Sequence, residues 1–140
     1  MKILTINEMF SDNLGDQAIS DAMRKFCQID QHTKVDSVDF SFRSVPQHHK
    51  NRDPILNWRR AWKTYIPSVF KKIFFLVNNI NNAKLIASKK YDLAIIGGGQ
   101  LVLGKGTFPY SLFLYTFFLA RQGTKIKIVS VGVGASFTTI

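Results

Sequence analysis

Short apolar runs alternate along this chain with stretches whose apolar positions recur every third or fourth residue, a pattern that predicts strands and helices in turn. Lys2 to Asn7 is the first apolar run and reads as a strand. From Asp16 to Gln28, residues Ala18, Ile19, Ala22, Met23 and Phe26 fall at helical spacing, with Asp12 or Asp16 as the expected cap and Gly15 as the turn. Lys34 to Phe40 alternates: Val35, Ser37 and Asp39 share one face, and Asp36, Val38 and Phe40 the other, as in a second strand. Ser41 to Asp53 is polar, contains Pro46, and reads as a loop. Pro54 to Lys90 is mostly helical, with an interruption at Pro67. Tyr91 to Ile96 predicts a third, fully buried strand, stopped by Gly97, Gly98 and Gly99. Phe108 to Arg121 predicts a helix closed by Gly123, and Lys125 to Val133 a fourth strand.

Alternation of this kind implies an α/β fold, an open parallel sheet of about four strands with flanking helices and right-handed crossovers, Rossmann-like in its winding. If the first two strands pair and the third lies on the other side of the first, the order is second, first, third, fourth. The switch point then lies between the first and third strands, where ligands bind beyond the carboxyl ends.

Length and composition fit one ordinary globular domain: 140 residues, 46% hydrophobic and 20% charged. The one cysteine, Cys27, excludes an intrachain disulfide and a multi-cysteine metal site, and it points to a reducing, cytoplasmic setting. The first apolar run is too short for a signal-peptide core, and Phe108 to Ala120 falls short of the roughly 20 residues that span a bilayer. The net charge of +10 is concentrated: residues 43–90 hold eleven Lys and Arg against Asp53, and the rest of the chain balances eight bases with eight acids. A neutral frame thus carries a basic insert.

Two loops carry the candidate chemistry. Ser11, Asp12, Asn13, Gly15 and Asp16 follow the first strand, and carboxylates beside an amide can bind sugar hydroxyls or act as a base. Asp12 and Asn13 are the catalytic candidates, since capping accounts for Asp16. Gly97, Gly98, Gly99 and Gln100 follow the third strand, where glycines let backbone amides approach an anion or simply form a tight turn. A dinucleotide fingerprint fails at Val102, and a phosphate-loop pattern fails at Gly106. His48 and His49 are adjacent and do not share a helical face, so no metal is expected, and Cys27 reads as packing. In the basic segment 54–90, Trp58, Trp62, Ile66, Val69, Ile73, Leu76 and Ile80 form an apolar stripe beside Arg59, Arg60, Lys63 and Lys71. That pattern suits a helix packed on the sheet or one lying on an anionic membrane. No nucleic-acid module surrounds it, and no nucleic-acid partner is expected.

Three motifs in order resemble the polysaccharide pyruvyl transferase family: Ser11 to Asp16 with Ala18 and Ile19, then Asp92 to Gly99, then Val131 to Gly134. One departure is Gln100, where a fourth glycine or small residue is common. The resemblance implies one half of a two-domain, glycosyltransferase-B-like protein that moves pyruvyl from phosphoenolpyruvate onto sugar hydroxyls of a surface polysaccharide as a ketal. It implies phosphoenolpyruvate and a saccharide acceptor as partners, and it requires no metal or organic cofactor. Members look roughly twice as long as this chain, the second half supplying the arginine and histidine groups for the donor. The expectation is therefore that residues 1–140 form a single N-terminal domain, a fragment or truncated product inactive alone, placed in the cytoplasm or on the inner face of the plasma membrane. A nucleotide-sugar glycosyltransferase half and a non-catalytic membrane-peripheral module of polysaccharide export remain alternatives.

Overall fold

The computed structural model describes residues 1–11, 13–28, 32–44, 67–97, 102–103, 108–129 and 135–136. In chain order they form β1 (Lys2–Asn7), α1 (Leu14–Cys27), β2 (Lys34–Asp39), α2 (Ser68–Ser88), β3 (Leu93–Gly97), β4 (Val102–Leu103), α3 (Phe108–Arg121), β5 (Lys125–Val129) and β6 (Ala135–Ser136). Four strands make one parallel sheet in the order β2-β1-β3-β5, the order expected from the alternation. A short parallel ladder, β4 with β6, stands apart from it. Two-residue strands have no periodicity to read, so that ladder is invisible in the sequence.

The two faces of the sheet are built differently. Leu4 and Ile6 on β1 join Ala94 and Ile96 on β3 in the main core, closed by Ala87 of α2, Tyr91, and Tyr115 and Leu119 of α3. Burying each large aliphatic side chain there contributes about 1.5–3 kcal/mol. Phe40 stacks on Phe108 with ring centroids 4.6 Å apart, and Phe42 on Tyr115 at 4.5 Å. The opposite face presents Ile3, Thr5 and Asn7 on the α1 side and is partly polar. The Thr5 and Ser37 hydroxyls meet at 2.7 Å, and the Ser20 hydroxyl of α1 donates to Asn7 Oδ1 at 3.0 Å.

Several boundaries and faces differ from the expectations. Helix α1 begins at Leu14, not Asp16, and its cap is Asn13, whose Oδ1 accepts the Gly15 N–H at 2.9 Å. Gly15 is thus a helical residue, not a turn. The face α1 turns inward holds Asp16 and Ser20, while Ala18, Ala22 and Phe26 are exposed, because Asn7 offers Ser20 a hydrogen-bond partner. Strand β3 is not fully buried: Leu93 and Ile95 are half-buried, since α1 lies mainly over β1 and β2. Strand β2 ends at Asp39 and β5 at Val129; residues 130–133 of the expected fourth strand lie outside the described residues.

In the basic segment, α2 starts just after Pro67, as a proline break predicts. Val69 and Ile73, placed on the packing stripe by their spacing, are exposed, and Ala83 and Ala87 are buried instead, Ala87 within the main core. Apolar residues occur all round α2, so spacing could not select a face; small side chains allow the closest approach to Tyr91 and Ala94. Trp58, Trp62, Ile66, Arg59, Arg60 and Lys63 lie outside the described residues. Among the described residues no helix is long and apolar enough to cross a membrane.

Candidate functional site

Parallel pairing of β1 with both β2 and β3 brings their carboxyl ends together, with Ile6 opposite Val38 on one side and Ile96 on the other. The strands are parallel, so the loops leaving them share one end of the sheet, and the chain winds from β1 to β2 on one side and on to β3 on the other.

Asp39, the last residue of β2, is buried and organises this end. One carboxylate oxygen accepts the Phe10 N–H of the β1 loop at 3.2 Å. The other accepts Ser41 N–H at 3.0 Å, Arg43 N–H at 3.1 Å and Arg43 Nε at 3.0 Å. A single side chain therefore ties the exits of two strands together. The tight turn it holds puts Phe42 at a φ of 56°, left-handed backbone that a bulky residue adopts only when its surroundings compensate.

Arg43 extends the cluster, reaching Glu8 at 3.5 Å as well as Asp39. Burial pushes the Glu8 carboxyl above its ordinary range; Arg43 opposes the shift, and the charges of Asp16 and Asp39 add to it. Asp16, buried at the start of α1, accepts the Ser11 hydroxyl at 2.7 Å. Asn7, the last residue of β1, is 1% exposed; its Oδ1 is bonded to Ser20, while its Nδ2 has no hydrogen-bond partner among the described residues. A cleft of about 370 Å³ runs beside the β2 exit, lined among others by Phe10, Phe42, Arg43, Asn82 and Tyr115. Aromatic faces alongside hydrogen-bonding groups are the usual lining of a small-molecule site.

The structure brings Ser11, Asn13, Gly15, Asp16 and Gly97 to this end of the sheet, on the β1 loop, the start of α1 and the end of β3. Asp12, Gly98, Gly99 and Gln100 lie outside the described residues. Three of the expected residues have structural work: Asn13 caps α1, Asp16 anchors Ser11, and Gly97 permits close packing. A Cβ on Gly97 would sit 2.9 Å from the Val129 carbonyl oxygen and 3.1 Å from Met23 Cε.

Sequence reasoning missed Asn7, Glu8, Asp39 and Arg43. The available signal was position: Asn7 and Asp39 are the last residues of neighbouring strands, directly opposite each other. Cys27 is half-buried and its thiol is pushed up by desolvation, in keeping with packing. Among the described residues no three His, Cys, Asp or Glu side chains are arranged to hold a metal ion.

A family model described as polysaccharide pyruvyl transferase matches residues 13–139. No curated protein and no solved structure matches the chain.

Proposed function

This chain belongs to the polysaccharide pyruvyl transferase family, and we propose that it binds the saccharide acceptor at the carboxyl end of its sheet, with Glu8 as the base. The observation that carries this reading is the Glu8–Arg43–Asp39 cluster at the exits of β1 and β2. Asp39 is saturated by four donors and Asp16 is bonded to Ser11, whereas Glu8 is held, among the described residues, by one ion pair at 3.5 Å. A carboxylate whose affinity for protons is raised by burial takes a hydroxyl proton more readily near neutral pH.

The family chemistry joins phosphoenolpyruvate to two hydroxyls of a sugar. One hydroxyl adds to the central carbon of the enol while its methylene takes a proton and becomes methyl. The second hydroxyl displaces phosphate at the same carbon and closes the ketal. Of the two hydroxyl protons, one is balanced in the new methyl group and the other leaves with phosphate. In this reading Glu8 receives the first, and Asp12 and Asn13 line the acceptor side together with Ser11, Gly15 and Asp16. Gly97, with Gly98, Gly99 and Gln100, completes the proposed substrate-binding set. Arg43 is held by Asp39 and Glu8, so in this reading the cations for the donor phosphate come from groups other than Arg43.

Saturation-transfer NMR on the chain with hexosides bearing free neighbouring hydroxyls tests acceptor binding directly. Phosphate release from phosphoenolpyruvate should stay at background with the chain alone and appear when a family donor half is added. There, Glu8→Gln should lower turnover about a hundred-fold or more while hexoside binding persists. Unchanged turnover in Glu8→Gln would remove the assignment.

A further inference from the structure

The opposite end of the sheet carries the reverse charge. Lys2 and Lys34 stand directly opposite one another on β1 and β2. Lys125 begins β5 two strands further along, in register with Leu93 and through it with Ile3. Lys89 and Lys90 leave α2 at the same edge, where the Lys89 carbonyl accepts Lys2 Nζ at 2.8 Å. Lys90, Lys125 and Lys127 line a shallow cavity of about 570 Å³ with Met1, Tyr91 and Asp92. Every one of these lysines except Lys2 is exposed. The one acid in that lining, Asp92, accepts the Lys2 main-chain N–H at 2.7 Å.

Like charges facing each other across neighbouring strands oppose folding. Lys89 and Lys90 complement the dipole at the end of α2, but that account does not extend to Lys2, Lys34, Lys125 and Lys127, which are strand residues. Lys90 also holds a φ of 51°, left-handed backbone normally given to glycine. The composition of the edge indicates its partner. The six cations named are lysines, compact point charges suited to a diffuse anionic surface; of the described arginines at helix ends near this edge, Arg121 stands over the Phe117 ring and Arg24 pairs with Asp21. Tyr91 is buried and offers no stacking platform for a base.

We propose that the amino edge of the sheet, through Lys2, Lys34, Lys89, Lys90, Lys125 and Lys127, docks on an anionic phospholipid membrane. Docked this way, the protein turns its carboxyl-end crevice away from the bilayer by about the length of a six-residue strand, some 20 Å. The site then faces sugars held at that height and not the lipid headgroups. The residues named are other than Arg59, Arg60 and Lys63 of the basic stretch, and the proposal stands whatever reaction the crevice performs.

The test is flotation of the full chain with phosphatidylcholine vesicles, with and without phosphatidylglycerol, at low and high salt. Retention is expected only on the anionic vesicles and should fall with salt as the Debye length shortens. Each lysine near such a surface contributes about a five-fold factor in binding, so Lys90→Gln, Lys125→Gln and Lys127→Gln combined should weaken it roughly a hundred-fold. The three Lys→Arg replacements should keep it, and circular dichroism checks that each variant is folded. Arg59→Gln, Arg60→Gln and Lys63→Gln combined should leave it intact. Absence of retention on anionic vesicles, equal retention on both vesicle types, retention unaffected by the Gln variant, or loss in the residue 59–63 variant overturns the proposal. Tighter binding to a DNA duplex than to anionic vesicles overturns it as well.

Discussion

The buried Tyr115 hydroxyl donates a 2.9 Å hydrogen bond to the main-chain oxygen of Asp39, joining α3 to the carboxyl end of β2 across 76 positions of sequence. The ring of the same tyrosine supports Phe42 in its left-handed conformation. Burial, reinforced by the Asp39 charge, pushes the phenol's proton affinity well above normal, so the group stays a donor throughout the accessible pH range. Tyr115→Phe should cost about 1 kcal/mol, at the lower end for a buried pair because the Asp39 oxygen retains the Phe42 N–H. The midpoint of urea unfolding reads this directly. A loss of several kcal/mol would mean that the hydroxyl also holds the turn.

Glu8 makes stability depend on pH in a defined direction. Its folded carboxyl binds a proton more tightly than the ordinary value of 4.5. Its contribution is therefore fully present below the unfolded value and is lost as pH rises through the raised folded value. Relative to wild type, Glu8→Gln should gain stability over that interval and no further above it. Unfolding midpoints of the two proteins across the acid range, with carboxyl NMR titration of Glu8, check the sign. A gap that widened toward low pH would contradict it.

Asn13 separates capping from chemistry. Asn13→Ala removes the Oδ1 acceptor for Gly15 N–H and should destabilise by about 1 kcal/mol, whereas Asn13→Asp keeps the acceptor and should cost little. If Asn13→Asp nevertheless abolishes hexoside binding in the NMR assay, the amide serves the ligand as well as the helix. Thermal unfolding alongside the binding measurement distinguishes the two roles.

Gly97→Ala should destabilise by about 1–3 kcal/mol, because its methyl would press on the Val129 carbonyl of β5 and on Met23 of α1. Adding Met23→Ala removes only the side-chain conflict, and the backbone contact at 2.9 Å persists. The double variant should thus recover part of the loss at most. Full recovery in a denaturant titration would place the crowding at Met23 alone.

Much of the fold is legible along the chain. The runs Lys2–Asn7 and Leu93–Gly97 are apolar and end at polar or glycine residues, so their identity as strands needs no tertiary information. Strand and helix alternate, and parallel strands require long crossovers, which gives a parallel sheet; the order β2-β1-β3-β5 follows on the further condition that β1 pairs with both β2 and β3, as it does. The loops that border the crevice follow from the same order.

The sequence by itself therefore determined the four main strands and the helices between them, and the sheet order once β1 is paired with both β2 and β3. Only the tertiary structure decided which faces and which carboxylates matter. Residues 14–27 could turn Ala22 and Phe26 inward by hydrophobicity, but Asn7 across the sheet holds a hydrogen-bonding group that Ser20 satisfies, and burying it unpaired would cost more than exposing Phe26. Asp39 reads as one polar position in an alternating strand, and becomes the organiser of the site because four donors from two loops converge on it. Periodicity records how one element meets its neighbours on average. Hydrogen bonds between residues far apart in sequence depend on the positions of single atoms, and those exist only once the chain has folded.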